Sequence, residues 1–552
     1  MTGVTFATSD AVDFLVIGAG AAGGVVAKEL ATAGFSVIVL EQGPYLGEKD
    51  FSHDEVKYKF TAGLTNDTKI QPILYRKSEH EQARPMKALE YGRQVGGGTV
   101  HFTSNYWRFH ESDFHERSVF GEVSGADLAD WPISYAELEP YYTKAEYDLG
   151  ISGLAGANPF EAPRSKPYPL PPMPAKSSGV LFERAAKKLG LHPFPAPVAI
   201  LSQPYRGRAA CVNCGFCESF GCEMRAKSST LASVIPMAES TGRCEIRPNC
   251  YVRKIETDDA GRATGAVYFD RNRREIFQRA KAVFVCANGA ETPKLLLLSK
   301  SKRFPHGLAN SSGLVGKYLM WDIGGEAQGL FEHPLNEYKG IQATRLIHDY
   351  YAADPKRGFY GGAGIDARFD FYPAGFALDG LPPDAPKWGA EYKKLFETYF
   401  TRTMMVMAHT TSLAVAKNTI TLDRDVKDAW GLPAVRVTYD YHSDDLATVK
   451  WALQKQLEIL DAAGAQKSWA QPYDMAAMMP SRHLMGTCRM GHDPRTSVVN
   501  AHSRTHDIPN LFLVDGSNFV TSARQQPTAT IQALAYRAAD HAIASAKRGE
   551  LS

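Results

Sequence analysis

Residues 13–43 read DFLVIGAGAAGGVVAKELATAGFSVIVLEQG, and this stretch decides the fold. The apolar run at 13–17 resembles a buried parallel strand in its composition. A glycine turn then opens a helical segment, and a second apolar run begins at Phe35. The pattern predicts two parallel strands joined by a crossover helix. A chain that begins in this way is expected to build an α/β domain on a parallel sheet.

The turn carries Gly18, Gly20 and Gly23 in the pattern G-x-G-x-x-G. The first glycine permits a tight turn, the second lets a pyrophosphate approach the backbone, and the third lets helix and strand pack closely. The helix N-terminus favours phosphates, and Glu41 at the end of the second strand suits ribose hydroxyls. The alternative is a purely structural glycine turn, but strand, helix and carboxylate together favour a dinucleotide site. This unit alone does not distinguish FAD from NAD.

Composition excludes several classes of protein. The 552 residues include 62 basic and 60 acidic side chains, a net charge of +2 that gives no reason to expect nucleic acid or an anionic membrane as partner. No apolar run approaches the roughly 18 residues that span a bilayer. The first residues lack the basic region, apolar core and cleavage site of a signal peptide. The chain alone therefore predicts a cytoplasmic protein, and periplasmic export with a signal-bearing partner stays open.

The rest of the chain predicts further elements. Residues 244–290 contain strand-like runs around a turn at 258–261. The proline-rich stretch 155–205 predicts an irregular excursion over the surface. Residues 325–470 combine strand-like runs with a helix expected at 443–463, which predicts a second domain on an antiparallel sheet.

Three further segments carry a family resemblance. GRQVGGGTVHFTSNYWR (92–108) and NGAETPKLLLLS (288–299) resemble the two signatures of the glucose-methanol-choline (GMC) oxidoreductases, and residues 483–541 resemble their C-terminal flavin and catalytic segment. The resemblance implies FAD and an α/β flavin-binding Rossmann-like domain interleaved with an α+β substrate domain on an antiparallel sheet. The domains expected from it are a first FAD-binding part (1–155), the excursion with a cysteine segment and a second FAD-binding part (156–325), the substrate domain (326–470), and a C-terminal catalytic and flavin-binding segment (471–552).

The resemblance also implies where the flavin is held. Glycines after Gln94 permit close backbone approach to a bulky cofactor, and a proline at the start of the last helix suits its first turn. Asp515-Gly516 marks a turn into that region. The flavin contacts expected beside the glycine turn and Glu41 are Gly97, Gly98, His101, Asn105, Val252, Asp515 and Pro527.

His101 has two interpretations. It follows Gly98 by three residues, where some GMC enzymes attach the flavin covalently through a histidine ring nitrogen. The alternative is a buried histidine that only packs against the flavin. The motif fixes the position of this residue and leaves its chemistry open.

Removal of hydride from an alcohol needs a base for the hydroxyl proton, and histidine suits that role. Among 16 histidines, His483 lies in HLMGTCRMG, where the resemblance places the GMC catalytic base. The family places a second His or Asn before the Pro-Thr of the last segment, and here Gln526 stands there. Glutamine can hydrogen-bond a substrate oxygen but cannot act as a base. We therefore expect His483 to take the proton and Gln526 to position the substrate.

Four of the eight cysteines fall within twelve residues, in CVNCGFCESFGC. The spacing of Cys211, Cys214, Cys217 and Cys222 nearly matches a bacterial ferredoxin run, and thiolate ligands suit iron–sulfur clusters or zinc. The surrounding segment resembles that of the large flavin subunits of gluconate 2-dehydrogenase-like and glucoside 3-dehydrogenase-like complexes. These observations favour an iron–sulfur cluster, [3Fe–4S] or [4Fe–4S], over zinc or idle thiols.

The function expected from the resemblance is a dehydrogenase that oxidises a secondary alcohol of a sugar, with C3 of a pyranoside favoured. Its expected partners are a small companion subunit and a cytochrome c-type electron acceptor. The alternatives are an oxidase that reduces O2 directly and an aldonate or polyol dehydrogenase subunit. The aromatics in 100–110 and the polar region around Asn336, Tyr338 and Lys339 are candidates to line a sugar pocket, and packing is the equal alternative for both.

Overall fold

The computed structural model describes residues 3–321, 324–470 and 481–551, and these residues form three sheets. The strands are β1 (Val12–Ile17), β2 (Val37–Leu40), β3 (Ile73–Arg76), β4 (Arg84–Pro85), β5 (Phe194–Pro195), β6 (Cys244–Arg247), β7 (Tyr251–Thr257), β8 (Ala263–Phe269), β9 (Glu275–Val285), β10 (Glu326–Leu330), β11 (Arg345–Ile347), β12 (Ala363–Arg368), β13 (Thr403–Thr410), β14 (Thr419–Lys427), β15 (Pro433–Thr438), β16 (Lys467–Ala470) and β17 (Leu511–Leu513). The helices are α1 (Ala21–Thr32), α2 (Glu55–Lys59), α3 (Glu116–Phe120), α4 (Tyr135–Leu149), α5 (Ser177–Lys188), α6 (Val234–Ser240), α7 (Glu291–Leu298), α8 (Pro373–Gly375), α9 (Gly389–Phe400), α10 (Ser443–Ala462) and α11 (Thr528–Lys547).

The first sheet contains the predicted strand–helix–strand unit. β1 pairs in parallel with β2 on one side and with β9 on the other, and β6 and β17 extend the parallel part. The first half of β9 instead pairs antiparallel with β8, which pairs with β7. The predicted hairpin at 244–290 thus continues into the parallel sheet. Helix α1 packs against α6 and α11 on one face of this sheet.

The second sheet is antiparallel, in the order β16-β10-β13-β12-β11-β5. Helices α5 and α10 cover one face, where Phe182, Val406 and Ile459 are fully buried together. Helix α10 coincides with the helix predicted at 443–463. The expected combination of a Rossmann-like sheet and an antiparallel substrate sheet is therefore confirmed.

A third, four-stranded sheet joins two of the expected domains. β15 pairs in parallel with β3, so that residues 433–438 lie beside residues 73–76. The chain of residues 326–470 therefore does not stay within the antiparallel sheet. The described part of the last segment returns to the first sheet through β17, and residues 471–480 at its expected beginning lie outside the described residues.

The expectation of an irregular stretch at 155–205 is wrong for part of its length. The prolines end at Pro174 and resume at Pro193, and between them the chain forms α5. This helix is amphipathic, and Phe182, Ala185 and Ala186 pack on the second sheet. Burial of that apolar face stabilises the helix despite the flanking prolines.

No helix among the described residues is both long and apolar enough to cross a bilayer.

A buried ion network connects the C-terminal segment to residues 113–116 and to the chain of the second sheet. The Arg524 guanidinium lies 3.0 Å from a carboxylate oxygen of Asp113 and also contacts the carboxylate of Glu116. It donates to the Tyr360 hydroxyl over 3.2 Å, and Tyr351 donates to Asp113 over 2.6 Å. Burial raises the pKa of Asp113 to about 7, although the guanidinium opposes the shift. Both tyrosines come from the chain of the second sheet, so the network fixes residue 524 against residues 113–116 and that chain.

We predict that Arg524→Met destabilises the protein strongly. The substitution leaves two buried carboxylates without their cation, a change that typically costs about 3–5 kcal/mol. The melting temperature of the purified protein measures the effect. The matched control is Arg495→Met, which removes an ion pair with Asp493 whose arginine side chain is 88% exposed, and exposed pairs contribute about 1 kcal/mol or less. Equal melting temperatures for the two variants would contradict the structural role given to Arg524.

Candidate active site

A cavity of about 720 Å³ lies between the carboxyl ends of the parallel strands and the open face of the second sheet. Ligands of open α/β sheets bind at this end of the strands. Most of the residues singled out from the sequence line it. They are Gly18, Gly20, Glu41, Gly97, Gly98, His101, Val252, His483, Asp515, Gln526 and Pro527.

The glycine turn after β1 has the geometry that its motif requires. Gly18 has a φ of 97°, and a Cβ on it would lie 2.6 Å from the Cys286 carbonyl oxygen. A Cβ on Gly23 would lie 1.8 Å from the Gly18 carbonyl oxygen, so this glycine lets α1 pack on the turn. Gly23 does not line the cavity, whereas Gly20 does.

The glycines at 96–98 are needed for two different reasons. A Cβ on Gly97 would lie 2.7 Å from the Cα of Gly20, so the two glycine loops cross in van der Waals contact. A Cβ on Gly98 would meet nothing within 4 Å. Only Gly98 therefore has the open surroundings expected beside a bulky cofactor.

Two buried carboxylates line the cavity. Glu41 accepts hydrogen bonds from the backbone N–H groups of Ala19 and Gly43, each over 2.9 Å. Burial raises the pKa of Glu41 to about 6, and those hydrogen bonds oppose the shift. Asp515 accepts from the Thr292 hydroxyl over 2.5 Å and from the backbone N–H of Ser517 over 2.8 Å. Burial raises the pKa of Asp515 as well.

His101 lines the cavity and has one ring nitrogen without a hydrogen-bond partner among the described residues. Its Nε2 atom is buried and has no hydrogen-bond partner among the described residues. Burial lowers the pKa of His101 to about 4, so the imidazole is neutral near pH 7. A neutral ring with a free nitrogen fits both interpretations of this residue.

Val252 lies on β7 at the cavity wall. Asn105, in contrast, lies outside the cavity lining, and its backbone bridges to Val198. Its side-chain amide is buried and has no partner for either polar atom within the described chain. Nothing in the structure brings Asn105 into contact with the cavity, so its role as a flavin contact stays a prediction.

Three polar side chains meet at one wall of the cavity. His483 has a φ of 53°, a left-handed conformation that is uncommon for a residue other than glycine. Its ring centroid lies 6.4 Å from that of His409. The Gln526 amide nitrogen lies 2.6 Å from His409 Nε2. The structure thus brings together His483 and Gln526, which the sequence singled out, and adds His409.

The sequence interpretation missed His409 and its neighbour Arg368. His409 lies on β13, where Met405, Met407 and His409 alternate toward the cavity and the residues between them enter the core. The alternation was visible in RTMMVMAHT, but both faces of this run are largely apolar. The pattern therefore indicated a strand and did not indicate which face carries the site.

The part of the cavity wall next to His409 carries several charged side chains. Arg368 pairs with Asp366 over 2.6 Å and with Asp370 over 3.3 Å. Glu326 lines the same wall. Its pKa is raised to about 7, mainly by burial and secondly by the charge of the nearby Asp370. Carboxyl groups therefore outnumber the one cation among these four side chains.

The four clustered cysteines lie outside the main cavity but close behind it. The backbone N–H of Ser219 donates to the His101 carbonyl oxygen over 2.7 Å. The buried Lys227 ammonium donates to the carbonyl oxygens of Cys217, over 2.5 Å, and Val100, over 3.2 Å. The cysteine loop is thus hydrogen-bonded directly to the segment that carries His101.

The thiols do not form a ready metal site in this structure. Burial raises the pKa of Cys217 to about 12, and burial also raises the pKa of Cys211 and Cys214. No three His, Cys, Asp or Glu side chains converge on a metal position anywhere in the ranges that the structure describes. The donor set suits an iron–sulfur cluster, but its present arrangement does not.

The structure favours packing over a sugar pocket for residues 336–339. None of Asn336, Tyr338 and Lys339 lines the cavity. The Tyr338 ring stacks on Phe400, with 5.2 Å between the ring centroids. The backbone of this segment contacts the cysteine loop, where a Cβ on Gly215 would lie 2.2 Å from the Tyr338 carbonyl oxygen.

The cavity fits a flavin dinucleotide. A glycine turn and a buried carboxylate lie at one part, and Gly98 with open surroundings and an unpartnered His101 nitrogen lie along it. The N-terminus of α11 lies at the wall beside Gln526 and Pro527. A helix N-terminus stabilises negative charge on a ligand.

Comparison with known proteins agrees with this geometry. A family model described as GMC oxidoreductase matches residues 12–321, and a second of the same description matches residues 414–535. The chain is 36% identical to the 2-methyl-1,2-propanediol dehydrogenase of Mycolicibacterium austroafricanum, over 97% of this chain and 95% of that protein. It is 29% identical to the gluconate 2-dehydrogenase flavoprotein of Pantoea cypripedii, over 97% of this chain and 94% of that one.

The fold also matches a solved structure. Formate oxidase from Aspergillus oryzae superposes with a TM-score of 0.68 over 99% of this chain and all of that chain, at 14% identity. That likeness concerns the fold alone. The family models and the sequence relatives also show the family. The chain belongs to the GMC oxidoreductase family and is a flavin-dependent oxidoreductase that acts on CH–OH groups.

Proposed function

We propose that the protein is an FAD-dependent dehydrogenase that oxidises a secondary alcohol of a sugar, with C3 of a pyranoside as the favoured position. The observation that carries this proposal is the meeting of His483, Gln526 and His409 in the cavity that the glycine turn also lines. Gly18, Gly20, Glu41, Gly98 and His101 would hold FAD, which supplies the hydride acceptor when bound.

In this proposal His483 removes the hydroxyl proton. A histidine accepts a proton near neutral pH and contributes about 100-fold or more to such reactions. Gln526 cannot take the proton, because an amide is not a base at this pH. Its part is to hold substrate through hydrogen bonds.

The charges on the cavity wall favour a neutral sugar over an aldonate. A substrate carboxylate would approach Glu326 and Asp370, and Arg368 is already paired with two carboxylates. Like charges in a partly buried site repel more strongly than in water. The aldonate alternative is therefore the weaker one, whereas a polyol stays compatible with this wall.

We also propose that Cys211, Cys214, Cys217 and Cys222 hold an iron–sulfur cluster in the mature protein. When bound, such a cluster would supply one-electron transfer to an external acceptor, and a small companion subunit and a c-type cytochrome are the proposed partners. The hydrogen bond between Ser219 and His101 supports the idea, because it joins the cysteine loop to the proposed flavin wall. Export bound to the companion would take the protein to the periplasm.

The second candidate function is an oxidase that passes electrons directly to O2. It is supported by a relative, the paromamine 6'-oxidase of Streptomyces fradiae, which is 29% identical over 96% of this chain and 90% of that protein. Production of hydrogen peroxide in air, at the rate of substrate oxidation, distinguishes it from the dehydrogenase.

We predict that His483→Ala retains FAD but lowers the rate of anaerobic flavin reduction by substrate by at least ~100-fold, because the base is lost. Stopped-flow absorbance at the flavin band measures the rate. Gln526→Ala should be milder, since it removes hydrogen bonds and no proton acceptor. The control is His80→Ala, at a histidine whose side chain is 87% exposed. Reduction of the His483 variant at a rate near that of the unmutated protein would refute the assignment.

We predict that acid precipitation of the holoenzyme distinguishes the two interpretations of His101. A covalent link to the flavin should leave yellow colour in the pellet, and His101→Ala should release that colour to the supernatant. Absorbance of the two fractions at the flavin band is the measurement. Free FAD in the supernatant of the unmutated protein would leave His101 as a packing residue.

We predict that anaerobically purified protein contains about three or four iron atoms per chain with matching sulfide. Cys217→Ser should lose the iron and slow electron transfer to cytochrome c, while flavin reduction by substrate continues. The control is Cys244→Ser, at a buried thiol on β6 outside the cluster. Bound zinc instead of iron, or an unchanged rate with cytochrome c in the Cys217 variant, would favour the oxidase.

A further inference from the structure

A buried line of hydrogen bonds runs from Asp366 to Gln526, and of its four members Arg368, His409 and Gln526 line the cavity. The two carboxylate oxygens of Asp366 accept from the Nε and Nη2 atoms of Arg368, each over 2.6 Å. The same Nη2 atom lies 3.0 Å from His409 Nε2. The Gln526 amide nitrogen lies 2.6 Å from that His409 nitrogen. All four side chains are at most 5% exposed, so these contacts are sheltered from bulk water.

The chemistry of Arg368 decides which atoms donate. A guanidinium carries only N–H donors and stays protonated. The Nε2 atom of His409 must therefore present its lone pair, and that nitrogen carries no proton. Asp366 holds the guanidinium from the other side with a bidentate contact, so Arg368 has no freedom to turn away.

The orientation of the Gln526 amide follows from this. Its NH2 group can donate to the lone pair of His409 Nε2, whereas the opposite orientation would place the Gln526 carbonyl oxygen against that lone pair. Amide orientations are assigned by such hydrogen-bond networks, and here the network permits one. The Oε1 atom of Gln526 is left buried, and it has no partner among the described residues.

An unpartnered buried acceptor in a cavity wall indicates a ligand that brings a donor. Gln526 and His483 line the same cavity and both lie beside the His409 ring. A substrate hydroxyl has one proton. If that proton goes to His483 during oxidation, the same hydroxyl cannot also donate it to Gln526.

We propose that Gln526 Oε1 accepts a hydrogen bond from a second hydroxyl group, on the carbon next to the one being oxidised, and that His409 is the positioning residue that holds the amide in this orientation. The site then selects vicinal diols and polyols over monoalcohols. This inference rests on the proposed function, in which His483 is the base.

The test compares matched pairs of small alcohols on the holoenzyme. The ratio of kcat/KM for 2,3-butanediol to that for 2-butanol is the first measurement. We expect the unmutated protein to favour the diol by about tenfold or more, since a site built to hydrogen-bond a hydroxyl rejects the analogue that lacks it. Gln526→Met keeps the length of the side chain without the acceptor, and it should bring the ratio close to one.

His409 is tested by a pair of variants with the same readout. His409→Leu removes the acceptor that holds the amide and should lower the ratio. His409→Gln can restore an acceptor near the position of Nε2 and should recover most of it. A merely structural role for His409 would change both rates together and leave the ratio as it was.

A binding measurement separates this inference from the proposed function. 2,3-Dimethyl-2,3-butanediol has no hydrogen on either carbinol carbon and cannot be oxidised, and 2,3-dimethyl-2-butanol is its monoalcohol match. Calorimetry on the holoenzyme should show tighter binding of the diol, and Gln526→Met should abolish the difference. Suppose that neither 2,3-butanediol nor 2-butanol is oxidised, but the diol still binds more tightly than its monoalcohol match and this difference depends on Gln526. The proposed function then fails and the diol contact stands. Equal binding of both ligands by the unmutated protein, or a diol preference that survives Gln526→Met, overturns the inference.

Discussion

The packing of three distant segments depends on the buried positive charge of Arg524, which must be neutralised by carboxylates. A guanidinium without contact with solvent needs anionic partners, and it finds them in Asp113 and Glu116 of a segment distant in sequence. Tyr360, from the chain of the second sheet, completes the set. The C-terminal segment, residues 108–120 and the antiparallel sheet must therefore meet at one point. Gln526 follows two residues later, so this network also sets the position of the substrate wall.

A second constraint is the crossing of two glycine loops. Gly20 and Gly97 approach so closely that a Cβ on Gly97 would overlap the Gly20 backbone. This contact brings the loop that carries His101 against the dinucleotide turn, and the hydrogen bond from Ser219 then holds the cysteine loop behind it. The dinucleotide turn, the loop that carries His101 and the cysteine loop are therefore stacked in this order. Such stacking places a cysteine loop near the proposed flavin wall, whatever the loop binds.

Local patterns predicted the elements that are stabilised locally, and failed where long-range packing decides. The strand–helix–strand unit and helix α10 were visible because their apolar periodicity and glycine turn are read within one segment. Helix α5 was missed because the prolines on both sides dominate the composition, whereas its apolar face becomes evident only against the second sheet. His409 was missed for a related reason: β13 is apolar on both faces, and only its partner strand β12 and the cavity show which face is functional. His483 and Gln526 were identified from a motif, and their shared cavity agrees with that placement without testing their roles.

The three polar side chains at the cavity wall divide the handling of protons among themselves. The Nε2 lone pair of His409 accepts from the Arg368 guanidinium and from the Gln526 amide, so it is not available to a substrate proton. Gln526 cannot take one at all, since its amide is not a base. Of these three side chains, only His483 is therefore suited to receive the hydroxyl proton. An amide at position 526 also has a donor and an acceptor on one rigid group, so that donating to His409 on one side leaves the acceptor for another partner. The departure from the usual histidine or asparagine at this position is thus consistent with a site in which one residue moves the proton and its neighbours recognise the substrate.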